Sequence, residues 1–222
     1  MMSNKIKINK KLNFDIGKRP LLIAEISGNH NGSKFQFLNH IKAAHRCGAD
    51  LIKIQTYEPD DITLNSKQKE FLIKSGIWKG KNLWNLYQKA QTPYSWHKDA
   101  FRLAKKLGAT LFSSPFSPKG VDFLEKINVP LYKLASLEIT DLNLIKKIAQ
   151  TRKPVIISTG SATNKEISTC IKIIKKFHKK IIILHCISDY PTLNKNSNVK
   201  KILFLKKHFK NKFIGLSDHT ND

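Results

Sequence analysis

The sequence is poor in acidic residues, in cysteine and in long apolar runs. Its three cysteines (Cys47, Cys170 and Cys186) show no CxxC spacing, which indicates free thiols in a reducing compartment and not a disulfide framework. Residues 1–20 lack the apolar core of a signal peptide. No stretch approaches the roughly 18–20 uninterrupted apolar residues of a transmembrane helix. We therefore expect a soluble, cytoplasmic protein.

The scarcity of acidic residues leaves a large positive charge that has two interpretations. Sixteen Asp and Glu against 40 Lys and Arg give a formal net charge of +24 in 222 residues. Such a charge can mark a protein that binds RNA or another polyanion. Here most lysines are scattered in pairs along helical patterns such as KIIKKFHKK, without a stripe of interleaved aromatic residues. This favours a general lysine bias without a nucleic-acid partner, and an anionic small substrate is compatible with either interpretation.

Short apolar runs alternate with amphipathic helical patterns along the chain. Seven β-branched runs predict strands at 21–26, 51–56, 109–114, 131–136, 154–159, 181–186 and 213–217. The alternation predicts parallel βαβ units. Gly48 and Gly108 stand where helices should end, and the stretch from Asn194 to Asn198 offers N-caps for the last helix.

A Gly-rich GxGxxG turn is absent after the first strand, which argues against a dinucleotide-binding sheet. Polar side chains instead follow nearly all seven runs, as on the active face of a (β/α)8 TIM-type barrel. We therefore predict an α/β protein with an incomplete barrel of about seven βα strands. The expected layout is an N-terminal extension over 1–19 and a truncated barrel domain over 20–222. The seventh helix and the eighth βα unit would then lie beyond Asp222.

One long segment, residues 57–95, interrupts the alternation after the second predicted strand. It contains two of the three tryptophans and a helical pattern, NLWNLYQKAQ. Loops of such length are usually functional or disordered, and the aromatic content argues against disorder. We interpret the segment as a βα-loop that covers the mouth of the barrel.

Two lysines lie inside otherwise apolar predicted strands, Lys53 in LIKIQ and Lys133 in LYKLAS. A lone buried ammonium group is costly, so two of them beside strand-end hydroxyls predict a pocket for a compact polyanion such as a phosphate ester. In one alternative both lysines face the outer helices and reach the solvent. In another, Lys133 is the Schiff-base nucleophile of an aldolase. The leading interpretation expects both lysines and His219 to converge on one cavity.

Most histidines lie in helical patterns, where a surface position is favoured: His40, His45, His97, His178 and His208. His219 follows a strand and a Ser-Asp pair, which suits a metal ligand, although a metal site needs three or more ligands. His185 is favoured as a core histidine with its hydrogen bonds satisfied. For His30 the sequence leaves open whether it faces the site.

Seven motifs resemble, in order and spacing, the phosphoenolpyruvate-dependent nonulosonic (sialic) acid synthases. They are AEISGNHNGS, KIQTY, SSPFS, YKLASLEI, PVIISTG, LHCISDYPT and GLSDHT, and the resemblance extends over about residues 20–222. The insertion SGIWKGKNLWNLYQKAQTPYSWH resembles the pseudaminic branch of this family. N-acetylneuraminate and legionaminate synthases are the alternatives within it, and a basic RNA- or polyanion-binding protein is the alternative from another class.

The resemblance implies a (β/α)8 barrel followed by a small antifreeze-like domain, which is missing from this chain, in a domain-swapped homodimer. It implies condensation of phosphoenolpyruvate with an open-chain 2,4-diacetamido-2,4,6-trideoxy-hexose, assisted by a divalent metal (Mg2+, Mn2+ or Co2+). Phosphate is released and a nine-carbon acid is formed. Because the second domain and a second metal-binding histidine are missing, we expect these 222 residues to be inactive alone.

The resemblance also implies the roles of individual residues. Ser188 departs from the pattern, because a sialic branch often has Asn there. The residues implied for phosphoenolpyruvate are Lys53, Ser114, Lys133, Ser136 and Ser217, and Ser158 and Ser188 are implied to lie around the same substrate site. Those implied for the sugar are Gln55 and Tyr190, the metal ligand is His219, and the acidic residues with proton-transfer or sugar-hydroxyl roles are Glu25 and Glu138.

Overall fold

A computed structural model of the chain describes residues 5–76, 78–210 and 212–221. Residues 1–4 of the predicted extension, residue 77 of the predicted long loop, and residues 211 and 222 of the predicted barrel domain lie outside the described residues. The chain forms two compact units. The first unit is Leu21–Asn128, and the second unit combines Met1–Pro20 with Val129–Asp222.

Within the described ranges the chain forms nine strands and seven α-helices. The strands are β1 (Lys5–Lys7), β2 (Asn13–Asp15), β3 (Ile23–Glu25), β4 (Leu51–Thr56), β5 (Leu111–Pro115), β6 (Tyr132–Leu134), β7 (Val155–Ser158), β8 (Ile181–Cys186) and β9 (Phe213–Ser217). The helices are α1 (Lys34–Arg46), α2 (Leu83–Ala90), α3 (Tyr94–Leu107), α4 (Pro118–Lys126), α5 (Leu142–Gln150), α6 (Asn164–Lys175) and α7 (Lys201–His208).

The first unit contains three parallel strands in the order β3-β4-β5. Their register places Glu25 opposite Lys53 and Gln55 opposite Ser114. Since side chains alternate between the faces of a strand, these four residues share one face. The other face is mainly apolar, and its Ile52 and Ile54 pack with buried residues of α1 and α3. Burial of this apolar face against the helices leaves Lys53 on the side away from α1 and α3.

His97 of α3 lies in the interior of the first unit, so its predicted surface position is wrong. It is fully buried, and its Nε2 is 2.8 Å from Thr56 Oγ1, which is 2.6 Å from Ser113 Oγ. The Pro93 carbonyl is 3.1 Å from its Nδ1. Burial lowers the pKa of His97 to about 4, so the ring is neutral. The helical pattern alone did not reveal that a polar network exists beneath α3.

The second unit contains four parallel strands in the order β6-β7-β8-β9. Lys133 aligns with Ile156, Ser158 with Leu184, and Cys186 with Ser217. By the same alternation, Lys133, Ser158, Cys186 and Ser217 share one face of this sheet. His185 points to the other face, is 3% exposed, and has its Nε2 2.8 Å from the Ser197 carbonyl. The prediction of a core histidine with its hydrogen bonds satisfied is confirmed.

Helix ends follow the local chemistry in most places. Gly108 ends α3 in the left-handed conformation (φ 73°), as predicted. Thr163 and Glu166 form a capping box that starts α6. The predicted Asn194–Asn198 caps for the last helix are wrong, because Asn194–Asn196 forms a 3₁₀ turn of its own. Helix α7 then begins at Lys201 behind Lys200, which makes no side-chain cap hydrogen bond.

A short antiparallel hairpin in the N-terminal segment was not predicted. β1 pairs with β2, with Lys5 opposite Asp15. Ile6 is 6% exposed, and the ring of Phe14 lies 6.3 Å from that of Phe213 in β9. Strands of three residues with alternating charge give almost no apolar signal, so only the packing of Ile6 and Phe14 identifies them.

The alternation of strands and helices confirms the predicted α/β class. Seven strands pair in parallel, three in the first unit and four in the second, and each except β9 is followed by a helix. The predicted helix inside the 57–95 segment is present as α2. Among the described residues, no helix is both long and apolar enough to cross a membrane.

Candidate active site

Glu25, at the carboxyl end of β3, forms an ion pair with Lys53 in the middle of β4 in the first unit. The side chain of Lys53 is only 15% exposed. The Glu25 carboxylate also accepts hydrogen bonds of 2.9 Å from the backbone N–H and from the hydroxyl of Ser27. Pairing of this kind offsets the cost of removing the lysine ammonium from water. The ion pair fixes a positive and a negative group beside each other on the polar face.

Gln55 and Ser114 extend the same polar face toward the strand ends. They lie directly opposite each other in the β4–β5 register, and Gln55 comes two residues after Lys53. Ser114 is 1% exposed. The first unit therefore brings together four of the predicted site residues: Glu25, Lys53, Gln55 and Ser114.

Lys133 of β6 is the buried cation of the second unit, with 5% of its surface exposed. A lysine that reached the solvent beside the outer helices would keep its ammonium group in water, so this burial argues against that alternative. Burial lowers the pKa of Lys133 to about 8, while the nearby Cys186 and Glu138 act in the opposite direction. The ammonium group is therefore still mainly cationic at neutral pH. A negative charge bound beside it would raise its pKa again.

Ser136 is held between two groups that approach it from neighbouring strands. The backbone N–H of Gly160 donates to Ser136 Oγ over 3.1 Å. Ser136 Oγ in turn donates to Cys186 Sγ over 3.5 Å. Cys186 is 3% exposed. Burial alone would raise the pKa of its thiol, but contacts with His219, Ser136 and Lys133 lower it below the ordinary value.

Among the described residues of the second unit, three buried polar atoms have no hydrogen-bond partner, His178 Nε2 and two atoms of predicted site residues. Ser158 Oγ, on the same face as Lys133, belongs to a residue that is 1% exposed. Glu138 Oε2 lies in the 3₁₀ turn Leu137–Thr140. Burial raises the pKa of Glu138, although Lys133 acts to lower it. Because buried polar atoms are normally satisfied, an unpartnered hydroxyl and carboxyl near one ammonium group indicate a place for a bound ligand.

His219 follows β9 and is held by the loop after β8. Its Nδ1–H donates to the Ile187 carbonyl over 2.7 Å, and its backbone carbonyl accepts from Thr192 N over 2.8 Å. Cys186 Sγ is 3.8 Å from Nδ1, and Ser217 Oγ is 3.5 Å from Nε2. Burial alone would lower the pKa of His219, but the contacts with Cys186 and Ile187 raise it.

Tyr190 and Ser188 belong to this same loop. The ring of Tyr190 lies 4.2 Å from that of His219, at an interplanar angle of 33°. Tyr190 is 56% exposed, so one side of its ring is open to solvent. Ser188 is also exposed, and it lies against the backbone of Gly160. The second unit thus brings together Lys133, Ser136, Ser158, Ser188 and Ser217 with His219 and Tyr190.

His219 fits a metal site only as a single ligand. With Nδ1 bonded to the Ile187 carbonyl, Nε2 is the nitrogen with a free electron pair, and such a carbonyl commonly orients a metal-binding histidine. Across residues 5–76, 78–210 and 212–221, no group of three or more His, Cys, Asp or Glu side chains could hold a metal ion. The described side chains therefore do not form a complete metal site by themselves.

Three contributors to these groups were not predicted as site residues. Cys186 was counted only among the free thiols, although it contacts Ser136 and His219. The sequence feature that could have marked Gly160 as a site residue is its position directly after Ser158 and Thr159 at the end of β7. Ser27 supports Glu25 from a left-handed backbone conformation (φ 47°).

His30, whose position the sequence left open, is fully buried. Its ring lies 5.3 Å from the ring of Trp96, and its Nε2 is 3.2 Å from Thr92 Oγ1.

Each unit therefore presents a cation beside hydroxyl groups and a carboxyl group. Fixed cations and hydroxyl donors bind phosphate and carboxylate groups, and they do so more strongly when water is excluded. A carboxyl group whose pKa is raised above its ordinary value is a candidate proton donor or acceptor. These properties suit a phosphorylated, carboxylated small molecule that reacts with proton transfer.

Comparison with known proteins finds similar sequences over most of the chain. The family model described as "NeuB family" matches residues 40–222. The pseudaminic acid synthase of Campylobacter jejuni serotype O:2 is 45% identical over 209 residues, which are 94% of this chain and 61% of that protein. The N,N'-diacetyllegionaminic acid synthase of the same organism is 34% identical over 91% of this chain and 61% of its own length. The chain thus spans about three fifths of the length of these relatives.

A solved structure shares the fold. The N-acetylneuraminic acid (sialic acid) synthetase of Leptospira borgpetersenii, crystallised with citrate, superposes with a TM-score of 0.85 at 29% sequence identity. The match covers 99% of this chain and 71% of that one. It confirms the predicted fold class, an incomplete (β/α)8 TIM-type barrel with seven βα strands.

Proposed function

Because this chain belongs to the NeuB family, we propose that it carries the barrel portion of a pseudaminic acid synthase. The reaction joins phosphoenolpyruvate, an open-chain 2,4-diacetamido-2,4,6-trideoxy-hexose and water to give pseudaminic acid and phosphate. The observation that carries the proposal is the buried Lys133 beside the unpartnered Ser158 hydroxyl and Glu138 carboxyl. This arrangement suits an anionic ligand that supplies the missing hydrogen-bond partners.

In this proposal the cations and hydroxyls hold phosphoenolpyruvate. We assign Lys133, Ser136, Ser158, Ser188 and Ser217 of the second unit to this ligand, and the family resemblance implies the same role for Lys53 and Ser114 of the first unit. A ligand with three negative charges gains most from groups that are already fixed in place, and such preorganised charge is a large source of catalysis. Gln55 and Tyr190 would bind the sugar.

The proposed reaction requires proton transfer at two atoms, the sugar aldehyde oxygen and the oxygen of the water that adds to C2. C3 of phosphoenolpyruvate attacks the sugar aldehyde carbon, whose oxygen becomes a hydroxyl. Water adds to C2, and the C–O bond to phosphate then breaks. We assign proton transfer to Glu138 because it lies near Lys133 and burial raises its pKa above the ordinary value of a carboxyl group. Glu25, which is paired with Lys53, would instead accept a hydrogen bond from a sugar hydroxyl or from water.

A divalent metal, Mg2+, Mn2+ or Co2+, is part of the proposal with His219 as one ligand through Nε2. Such an ion supplies Lewis-acid polarisation of a carbonyl oxygen. Since the described residues hold no complete ligand set, further ligands would have to come from the substrate, water or residues outside the described ranges.

The first test is binding of phosphoenolpyruvate to the 222-residue chain, measured by isothermal titration calorimetry. We expect saturable binding to wild type and a loss of about 10- to 100-fold in affinity for Ser158→Ala, since a hydrogen bond to a charged group contributes about 1.5–3 kcal/mol. An exposed hydroxyl that bonds within its own helix, Thr169 of α6 to the Lys165 carbonyl, provides the matched control Thr169→Val. No binding by wild type would refute the proposal.

The second test concerns the sugar and the whole protein. Because the chain spans about three fifths of its relatives' length, we propose that these residues alone do not turn over, and that the whole enzyme is a cytoplasmic homodimer. A chimera that continues after residue 222 with the matching remainder of the Campylobacter pseudaminic acid synthase should release phosphate from phosphoenolpyruvate with the diacetamido sugar. Release only with N-acetylmannosamine or a legionaminate precursor would move the assignment to a sister branch.

A further inference from the structure

Gly160 lies at the point where two of the proposed phosphoenolpyruvate ligands approach the backbone most closely. A methyl group on its Cα would lie 2.1 Å from Ser188 Oγ, 2.8 Å from Ser136 Oγ and 3.0 Å from Ser136 Cβ. Ordinary van der Waals contact begins at about 3.4 Å. Its N–H also donates to Ser136 Oγ over 3.1 Å. The missing side chain is therefore what lets both hydroxyls reach this turn.

The backbone itself does not require glycine at this position. Gly160 is not among the residues with positive φ, so an alanine could adopt the same conformation. This distinguishes it from Gly108, whose left-handed conformation ends a helix. Space is thus the property that glycine provides at position 160.

We propose that Gly160 is a positioning residue that sets the places of the Ser136 and Ser188 hydroxyls for phosphoenolpyruvate. The inference rests on the proposed function, which assigns both hydroxyls to that ligand. Ser188 is exposed, so its Oγ can rotate away from an added methyl group at little cost. Ser136 is buried and held by Gly160 and Cys186, so it must shift by a few tenths of an ångström. A methyl group here would misdirect both hydroxyls while the fold persists.

The test is a double-mutant cycle of Gly160→Ala with Ser188→Ala on the 222-residue chain, with phosphoenolpyruvate affinity measured by calorimetry. We expect Gly160→Ala to weaken binding at least tenfold while the thermal midpoint changes by only a few degrees. Ser188→Ala should weaken binding severalfold in wild type but have no further effect in the Gly160→Ala background. The reason is that the Ser188 hydroxyl has already rotated away from the ligand in that background.

The control for the Gly160→Ala background is Gly215→Ala, a second glycine-to-alanine change, in β9. An added methyl group there would meet only Leu184 Cδ2, the far end of a flexible side chain, at 2.9 Å. The effect of Ser188→Ala should therefore be the same in Gly215→Ala as in wild type. Equal effects of Ser188→Ala in the Gly160→Ala and wild-type backgrounds, or wild-type affinity in Gly160→Ala, would overturn the inference and leave the proposed function intact.

A crystal structure of the Gly160→Ala variant tests the spacing without any ligand. We expect Ser188 Oγ to adopt another rotamer and Ser136 to be displaced. If neither hydroxyl has moved, the inference is wrong whether or not phosphoenolpyruvate binds. If both have moved but wild type binds no phosphoenolpyruvate, the proposed function fails, and with it the assignment of these hydroxyls to that ligand.

Discussion

At the scale of single residues, Lys133 couples stability to ligand binding. Its ammonium group is buried, and burial lowers its pKa from 10.5 to about 8. Between these two values the unfolded chain binds more protons than the folded chain, so the contribution of Lys133 to stability rises with pH over that window. Near pH 7 the buried charge therefore costs stability that binding of an anion would recover.

Lys133→Met should separate these two effects. Methionine has a similar shape and no charge, so we expect the free energy of unfolding at pH 7 to stay the same or increase, by at most about 3 kcal/mol. Phosphoenolpyruvate affinity should fall by about 10- to 100-fold or more. Denaturant unfolding and calorimetry measure the two quantities. A clear loss of stability would show that the ammonium group holds the strand end together and is not reserved for a ligand.

The same lysine predicts how ligand affinity depends on pH. With a pKa of about 8, the cationic fraction falls as pH rises, and phosphoenolpyruvate affinity should drop about tenfold between pH 7 and pH 9. Lys133→Arg, which keeps its charge over this range, should bind more weakly at pH 7 but with a flatter profile. Glu138 and Cys186 also act on Lys133. An equally steep profile in Lys133→Arg would assign the dependence to another group.

At the scale of elements, the two helices α6 and α7 differ in how they begin. Thr163 Oγ1 accepts from Glu166 N over 3.3 Å, and Glu166 Oε2 accepts from Thr163 N over 2.7 Å, which satisfies two backbone groups at the start of α6. Lys200 offers no such bond to α7. The first helix therefore depends on its cap, whereas the second depends on the packing of Leu205.

Thr163→Ala should lower the free energy of unfolding by about 1 kcal/mol, the ordinary effect of losing a threonine N-cap. Lys200→Ala is the matched control, since it removes no cap hydrogen bond, and its effect should stay within about 0.5 kcal/mol. Denaturant midpoints of the two variants give the comparison. Equal effects would mean that the capping box does not contribute in solution.

At the scale of the whole molecule, the charge of +24 raises the question of polyanion binding. The second unit carries most of it, with lysines along α6, α7 and the segments that flank them. Exposed lysines of this kind attract any polyanion through counterion release, without sequence preference.

We therefore expect only weak RNA binding, which fluorescence anisotropy should detect near 50 mM salt and lose by about 200 mM. Two RNAs of equal length and different sequence should behave alike. Tight binding at physiological salt, or a clear preference for one of the RNAs, would favour the RNA-binding alternative over a general lysine bias without a nucleic-acid partner.

The sequence by itself predicted the strands, most helices and the strand ends that carry polar groups. Hydrophobic periodicity is local, and so are the Gly48 and Gly108 helix ends, so LIKIQT and IIILHC mark β4 and β8 to the residue. The motif series was sufficient to identify the family. It also predicted Lys53, Lys133 and His219 as site residues, because residue type and position within or just after a strand are visible in one dimension.

Contacts between distant segments were decided only by the tertiary structure. The register of β3 with β4 pairs Glu25 with Lys53, and the turn after β7 brings Gly160 against Ser136 and Ser188. Packing likewise buries His97 beside Thr56, and it orders the short hairpin around Ile6. Each depends on which strands adjoin and how closely they approach, and no local pattern records these distances.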